Sequence, residues 1–100
     1  MSFDELINNV FTWADNKGLI KEENATKQML KVVEEVGETA GALAKNNRDE
    51  LKDGIGDSFV TLIILANQCG YTPSECLQAA WDEIKGRTGK TINGVFVKDN

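Results

Sequence analysis

Between Phe59 and Ala66 seven residues of eight are apolar, and only Thr61 interrupts the run. At about 100° per residue, Phe59, Val60, Leu62, Ile63, Ile64 and Leu65 point in every direction around a helix, and such a helix must be surrounded. The run is far short of the roughly 20 residues that span a bilayer, so the covering material has to be protein. Three further helices, all that a 100-residue chain can supply, would barely enclose it. The pattern therefore predicts a homo-oligomer with this helix near the centre; the alternative is a well-covered monomer core.

The rest of the chain is punctuated for helices. Ser2 with Glu5 three residues on is a capping box, and Phe3, Leu6, Ile7, Val10 and Ala14 recur on one face until Lys17-Gly18. Asn24 can cap a second helix running to about Asn46, and a third starts near 47–49 and stops at Cys69-Gly70. Thr72-Pro73-Ser74-Glu75 opens a fourth, whose inward stripe is Leu77, Ala80, Trp81 and Ile84. From Thr88 onward Asn93-Gly94 and the β-branched residues around it suggest an extended tail or a small hairpin. With one proline and nine glycines there is too little turn chemistry for a β-sandwich. The expected fold is all-α: a single domain over 1–100, a four-helix bundle-type protomer with a short C-terminal tail over 88–100, assembled as an oligomeric helical bundle.

Eleven bases against sixteen acids give a net charge of -5, the wrong sign for unassisted binding to nucleic acid or an anionic membrane. Neither is expected as a partner. Cys69 and Cys76 match no zinc or redox spacing, and there is no histidine, so the thiols read as free ones in a reducing compartment. Without a basic segment leading into an apolar run at the N-terminus, the expectation is a cytoplasmic protein.

The acids are not scattered. Glu34, Glu35 and Glu38 share one side of the second helix, while Glu50, Asp53 and Asp57 follow i, i+3, i+7 on the third. If these helices pack antiparallel across Asn46-Asn47, the two sets come level and the carboxylates converge. Ionised groups so close repel unless they bind cations or raise their pKa values, and an all-oxygen donor set suits Mg²⁺ or Mn²⁺. The competing reading makes both stripes solvated helix faces with ion pairs such as Lys31 to Glu35. Small residues beside the acids, Gly37, Ala40, Gly41, Ala44, Gly54 and Gly56, cost helix stability but would admit a close neighbouring helix. A calcium EF-hand loop fails, because aligning its glycine with Gly54 puts Leu51 and Val60 at ligand positions.

The segment Lys31 to Glu38, followed by Asp53-Gly-Ile-Gly-Asp57 and an apolar helix, resembles the EExxE…ExxD signature of the MazG-like all-α nucleoside triphosphate pyrophosphatases. The stretch from Ile84 to Val97 is similar to short single-domain MazG-like proteins often carried by phages. The resemblance implies Mg²⁺ held between two acidic helices, cleavage of a nucleoside triphosphate between the α and β phosphates, and assembly as a homodimer or homotetramer. It makes Glu35, Glu38 and Asp57 metal ligands. The family's other glutamate falls on Gly54, where the nearest acids, Asp53 and Glu50, are the alternative replacements; Asp53, one turn from Asp57, is counted with the metal ligands.

For that chemistry Glu34 is the candidate base that orients or deprotonates water. Lys31, Lys85, Arg87 and Lys90 are candidates to hold the leaving pyrophosphate, against a plainer role as solvated or helix-terminal charges. Trp13, at the edge of the first helix's apolar face, would stack on a nucleobase or pack structurally; Trp81 is expected in the core, and Phe96 against a neighbouring subunit. Two non-enzymatic readings stay open: a relative that senses nucleotides or binds a protein without turnover, and a purely structural helical dimer. No motif separates the bases or sugars of the substrate.

Overall fold

The capping signals turn into helix ends at residue level. In the computed structural model, which describes residues 1–100, Ser2 accepts the Glu5 N–H at 3.1 Å and starts α1, Phe3–Asn16, which stops before Gly18 at φ +73°. Asn24 does not cap with its side chain; a 3₁₀ turn, Glu22–Asn24, leads directly into α2, Ala25–Ala44. Asn46 takes a left-handed φ of 55°, and Asn47 accepts the Glu50 N–H at 3.2 Å to open α3, Arg48–Gln68. Thr72 and Glu75 form a reciprocal capping box with Pro73 in the first turn of α4, Pro73–Ile84. Four helices and the short turn make the protein about 70% helical.

The tail is a two-stranded antiparallel hairpin, β1 Gly89–Ile92 and β2 Val95–Lys98. Asn93 and Gly94 both have positive φ, 51° and 80°, the pair of left-handed residues that a type I′ turn requires. At its base Thr88 Oγ1 donates to Asp99 at 2.9 Å.

Helix α3 is the organising element. Gln28 Nε2 donates to the Thr61 carbonyl at 3.1 Å, Thr39 lies against Gly54 and Ser58, and Lys45 pairs with Glu50, a ladder that makes α2 and α3 antiparallel. Along α1 the order is the reverse: Phe3 meets Phe59 edge to face at 6.0 Å, and Gln68 donates to the Leu19 carbonyl at 2.9 Å, so α1 runs parallel to α3. Helix α4 joins α1 and the C-terminal half of α3 around an apolar groove. Helices α1, α2 and α4 each pack on α3, while contacts among those three are few or none. The bundle is consequently open.

Its core is small: Ala14, Val32, Ala42, Ile63 and Ile64 are the buried apolar residues. Phe59, Leu62 and Ile55 of α3 remain about half exposed, so the apolar-all-round helix is not enclosed by its own chain. Trp81, expected in the core, is 53% exposed, as are its stripe neighbours Leu77 and Ile84 at 66% and 47%. The radius of gyration is 15.8 Å, against about 13 Å for a compact domain of this length.

Candidate functional site

Helices α2 and α3 approach closely at Thr39 and Gly54. A Cβ built on Gly54 would stand 2.5 Å from Thr39 Oγ1 and 3.2 Å from its Cα, so only glycine fits. Thr39 Oγ1 is held in place by donating to the Glu35 carbonyl at 2.7 Å, and Ser58 Oγ, 3.5 Å away, donates to the Gly54 carbonyl at 2.8 Å. Gly54 is therefore the one helical glycine that serves the close contact expected of several. Gly37, Gly41 and Gly56 have nothing within 4 Å of a built Cβ in this chain.

Beside this crossing lies an open cavity of about 420 Å³, lined by Glu38, Gly41 and Lys45 from the end of α2 and by Glu50, Asp53, Gly54 and Asp57 from α3. Not one lining residue is hydrophobic. Glu35 sits next to it, its side chain only 12% exposed. Burial, reinforced by the charges of Glu38 and Asp57, pushes its carboxyl above the ordinary glutamate range, and Glu34 adds to the effect while Lys31 opposes it. Glu38, Asp53 and Asp57 thus line one space, with Glu35 close enough to feel two of them. No three of these carboxylates stand at metal-ligand spacing, so the tight cluster anticipated from the sequence is not preformed. The donor set is nevertheless all oxygen, mutually repelling and open to solvent, which suits a hard divalent cation.

The other expected site residues are placed differently. Glu34, 54% exposed, shares Lys31 with Glu35, at 3.5 and 3.7 Å. Lys85 pairs with Asp82 at 3.0 Å and Arg87 with Glu83 at 2.8 Å, both near the end of α4, and Lys90 is in the hairpin. None of these, nor Trp13, lines the acidic cavity.

One residue that sequence reasoning gave no role does line it. Lys45, 70% exposed, is its cation, held loosely by Glu50 at 3.7 Å. Glu38, Gly41 and Lys45 follow i, i+3, i+7, which is the signal that could have placed Lys45 on the acidic face of α2.

Comparison with protein families matches residues 21–90 to the MazG nucleotide pyrophosphohydrolase domain. The chain belongs to the MazG family. The match takes in α2, α3, α4 and the first strand residues, and leaves α1, with Trp13, outside. An uncharacterized 18.2 kDa protein in the rep-hol intergenic region of Haemophilus phage HP1 (strain HP1c1) is 44% identical over 64 residues, 64% of this chain and 39% of the phage protein. This MazG chain thus spans about two fifths of that relative's length. No solved structure matches it. No helix is long and apolar enough to cross a membrane.

Proposed function

We propose that this MazG protein is a divalent-metal-dependent nucleoside triphosphate pyrophosphohydrolase, cleaving between the α and β phosphates to give a monophosphate and pyrophosphate. The observation that carries the reading is the convergence of Glu38 from α2 with Asp53 and Asp57 from α3 on one polar cavity in a chain of this family. Glu35, Glu38, Asp53 and Asp57 would hold Mg²⁺ or Mn²⁺. When bound, the metal neutralises phosphate oxygens and offsets carboxylate charge. Glu34 faces solvent and orients or deprotonates the attacking water. Lys45 at the cavity wall and Lys31 beside Glu35 meet phosphate charge. Lys85, Arg87 and Lys90 are further cations for the pyrophosphate, since exposed pairs such as Arg87–Glu83 are worth about 0–1 kcal/mol and exchange readily for phosphate. Trp13 is the candidate base-stacking residue. Such a substrate belongs to the cytoplasm, where Cys69 and Cys76 stay reduced.

We further infer a homo-oligomer, dimer or tetramer, as the working form. The chain exposes 7601 Å² at 11.0 kDa, whereas a compact monomer of that mass exposes about 5,600 Å². An excess of about 2,000 Å² per chain is in the range that permanent homodimers bury. Apolar residues supply it: besides the α4 stripe, Val36, Ile55, Phe59 and Leu62 form an uncovered patch across α2 and α3.

Incubating the protein with a panel of ribo- and deoxyribonucleoside triphosphates and following products by phosphorus NMR tests the reaction. Equal amounts of monophosphate and pyrophosphate, dependent on Mg²⁺ or Mn²⁺, are expected. Diphosphate with orthophosphate would refute the cleavage site. A second reading, a nucleotide-sensing or protein-binding relative without turnover, is favoured by one observation, the glycine at position 54. It predicts nucleotide affinity with no product.

A further inference from the structure

Both faces of the hairpin are exposed, but only one carries three aliphatic side chains together. Residues directly opposite across antiparallel strands share a face, and neighbours along a strand alternate. In the register Gly89↔Lys98, Lys90↔Val97, Thr91↔Phe96, Ile92↔Val95, one face carries Thr91, Phe96, Gly89 and Lys98. There the Phe96 ring closes over Gly89, whose added Cβ would lie 2.7 Å from ring atom Cζ. The opposite face carries Ile92, Val95 and Val97 with Lys90, and those three apolar side chains are 46%, 65% and 46% exposed. The hairpin makes few or no contacts with the helices of its own chain. Two strands alone are marginal in water, so this face calls for a cover.

A complementary surface exists on the body. The groove between α1, α3 and α4 encloses about 570 Å³ and is lined mainly by apolar side chains, among them Phe3, Ile7, Leu62 and Leu77, with Asp4 among its few polar residues and Cys76 in its wall. Charge also matches. The segment from Thr88 to Asn100 carries two lysines and one aspartate, leaving nine bases against fifteen acids on the rest of the chain. A weakly basic arm thus faces a body of net charge -6.

We propose that the hairpin is an exchange arm, seating Ile92, Val95 and Val97 in the α1–α3–α4 groove of a second copy of this chain, with Lys90 meeting Asp4 there. The proposal rests on the homo-oligomer reading and specifies which surfaces make the contact. Two reciprocal arm–groove contacts related by a two-fold axis close a dimer without leaving a free arm or an empty groove. They also draw on the same uncovered surface that exceeds the monomer expectation by about 2,000 Å².

The full chain bearing Val95→Cys and Cys69→Ser, treated with diamide, tests the contact through the native Cys76. The expected result is a covalent dimer on a non-reducing gel that vanishes when Cys76→Ser is added. A disulfide within one chain, or a dimer indifferent to Cys76, overturns the proposal. Sedimentation of the unaltered chain separates the two levels: a monomer sinks the assembly reading and the arm with it, whereas an oligomer that forms no cross-link between the Val95→Cys thiol and Cys76 sinks the arm alone. As a second measurement, Ile92→Asp should raise the dimer dissociation constant at least about tenfold. Lys90→Asp should weaken association, and adding Asp4→Lys should restore it; no change in either variant overturns the proposal.

Discussion

Replacing Gly54 by alanine adds one methyl group at a close contact between the two acid-bearing helices. An ordinary carbon contact needs about 3.5 Å, so a Cβ 2.5 Å from Thr39 Oγ1 requires a displacement on the order of 1 Å. Thr39 cannot swing aside without giving up its 2.7 Å bond to the Glu35 carbonyl, and its Cα, 3.2 Å away, moves only with the helix. Overpacking of this kind costs about 1–3 kcal/mol, and the case here lies in the upper half of that range. Removing a glycine from a helix interior returns up to about 1 kcal/mol. The net expectation is a loss of about 1–2 kcal/mol, or about 5–15 °C in Tm for a domain this size. Gly37→Ala and Gly56→Ala, which meet nothing within 4 Å, should gain up to about 1 kcal/mol by the same helix effect. Thermal unfolding by circular dichroism, at one chain concentration and without metal, compares the three. If Gly54→Ala is as stable as the other two, the close helix contact is refuted. Gly54→Glu supplies the acid usual in the family but carries the same Cβ, so it should lower activity.

Three further outcomes are expected. In metal-free protein the raised Glu35 pKa stabilises the fold at pH below the ordinary glutamate pKa, and this contribution is lost as pH rises through the raised value. Glu35→Gln should therefore flatten that dependence in urea titrations across the acid range and be the more stable protein at neutral pH; an unchanged slope contradicts the clustered carboxylates. Lys45→Ala should raise KM for the triphosphate several-fold while Lys45→Arg retains most affinity, measured by steady-state kinetics; equal KM in all three would remove Lys45 from the site. Saturation with Mg²⁺ at about 100 times its dissociation constant should raise stability by about 2.7 kcal/mol, and Asp57→Asn should abolish most of the gain in melting curves with and without chelator.

Much of this was legible because it is local. Ser2 with Glu5, Thr72 with Glu75, and Asn93-Gly94 each act over a few residues, so helix starts and the hairpin turn could be read directly. The antiparallel α2–α3 pair followed from the short Asn46-Asn47 connection, and with it the meeting of Glu38, Asp53 and Asp57 on one cavity. Long-range packing was not legible. Which glycine takes the close contact depends on where two helices cross, and that selects Gly54 against Thr39 while Gly37, Gly41 and Gly56 stay open. Trp81 follows the same rule in reverse: its position on the α4 stripe marks a face to be covered, but periodicity does not say whether its own chain covers it. Lys45 was overlooked because a lysine at a helix end ordinarily serves the helix terminus, and only the fold sets it in one cavity with Asp53 and Asp57.

The central claim is that the acids at the α2–α3 crossing perform metal-dependent pyrophosphate release. Its most direct test is the rate of pyrophosphate formation from the preferred triphosphate in Mg²⁺ by the unaltered protein and by Glu38→Gln, each first shown to be folded. A loss of at least about 100-fold in the variant, matched by chelation of the unaltered protein, is predicted. Equal rates in Glu38→Gln and the unaltered protein would contradict it.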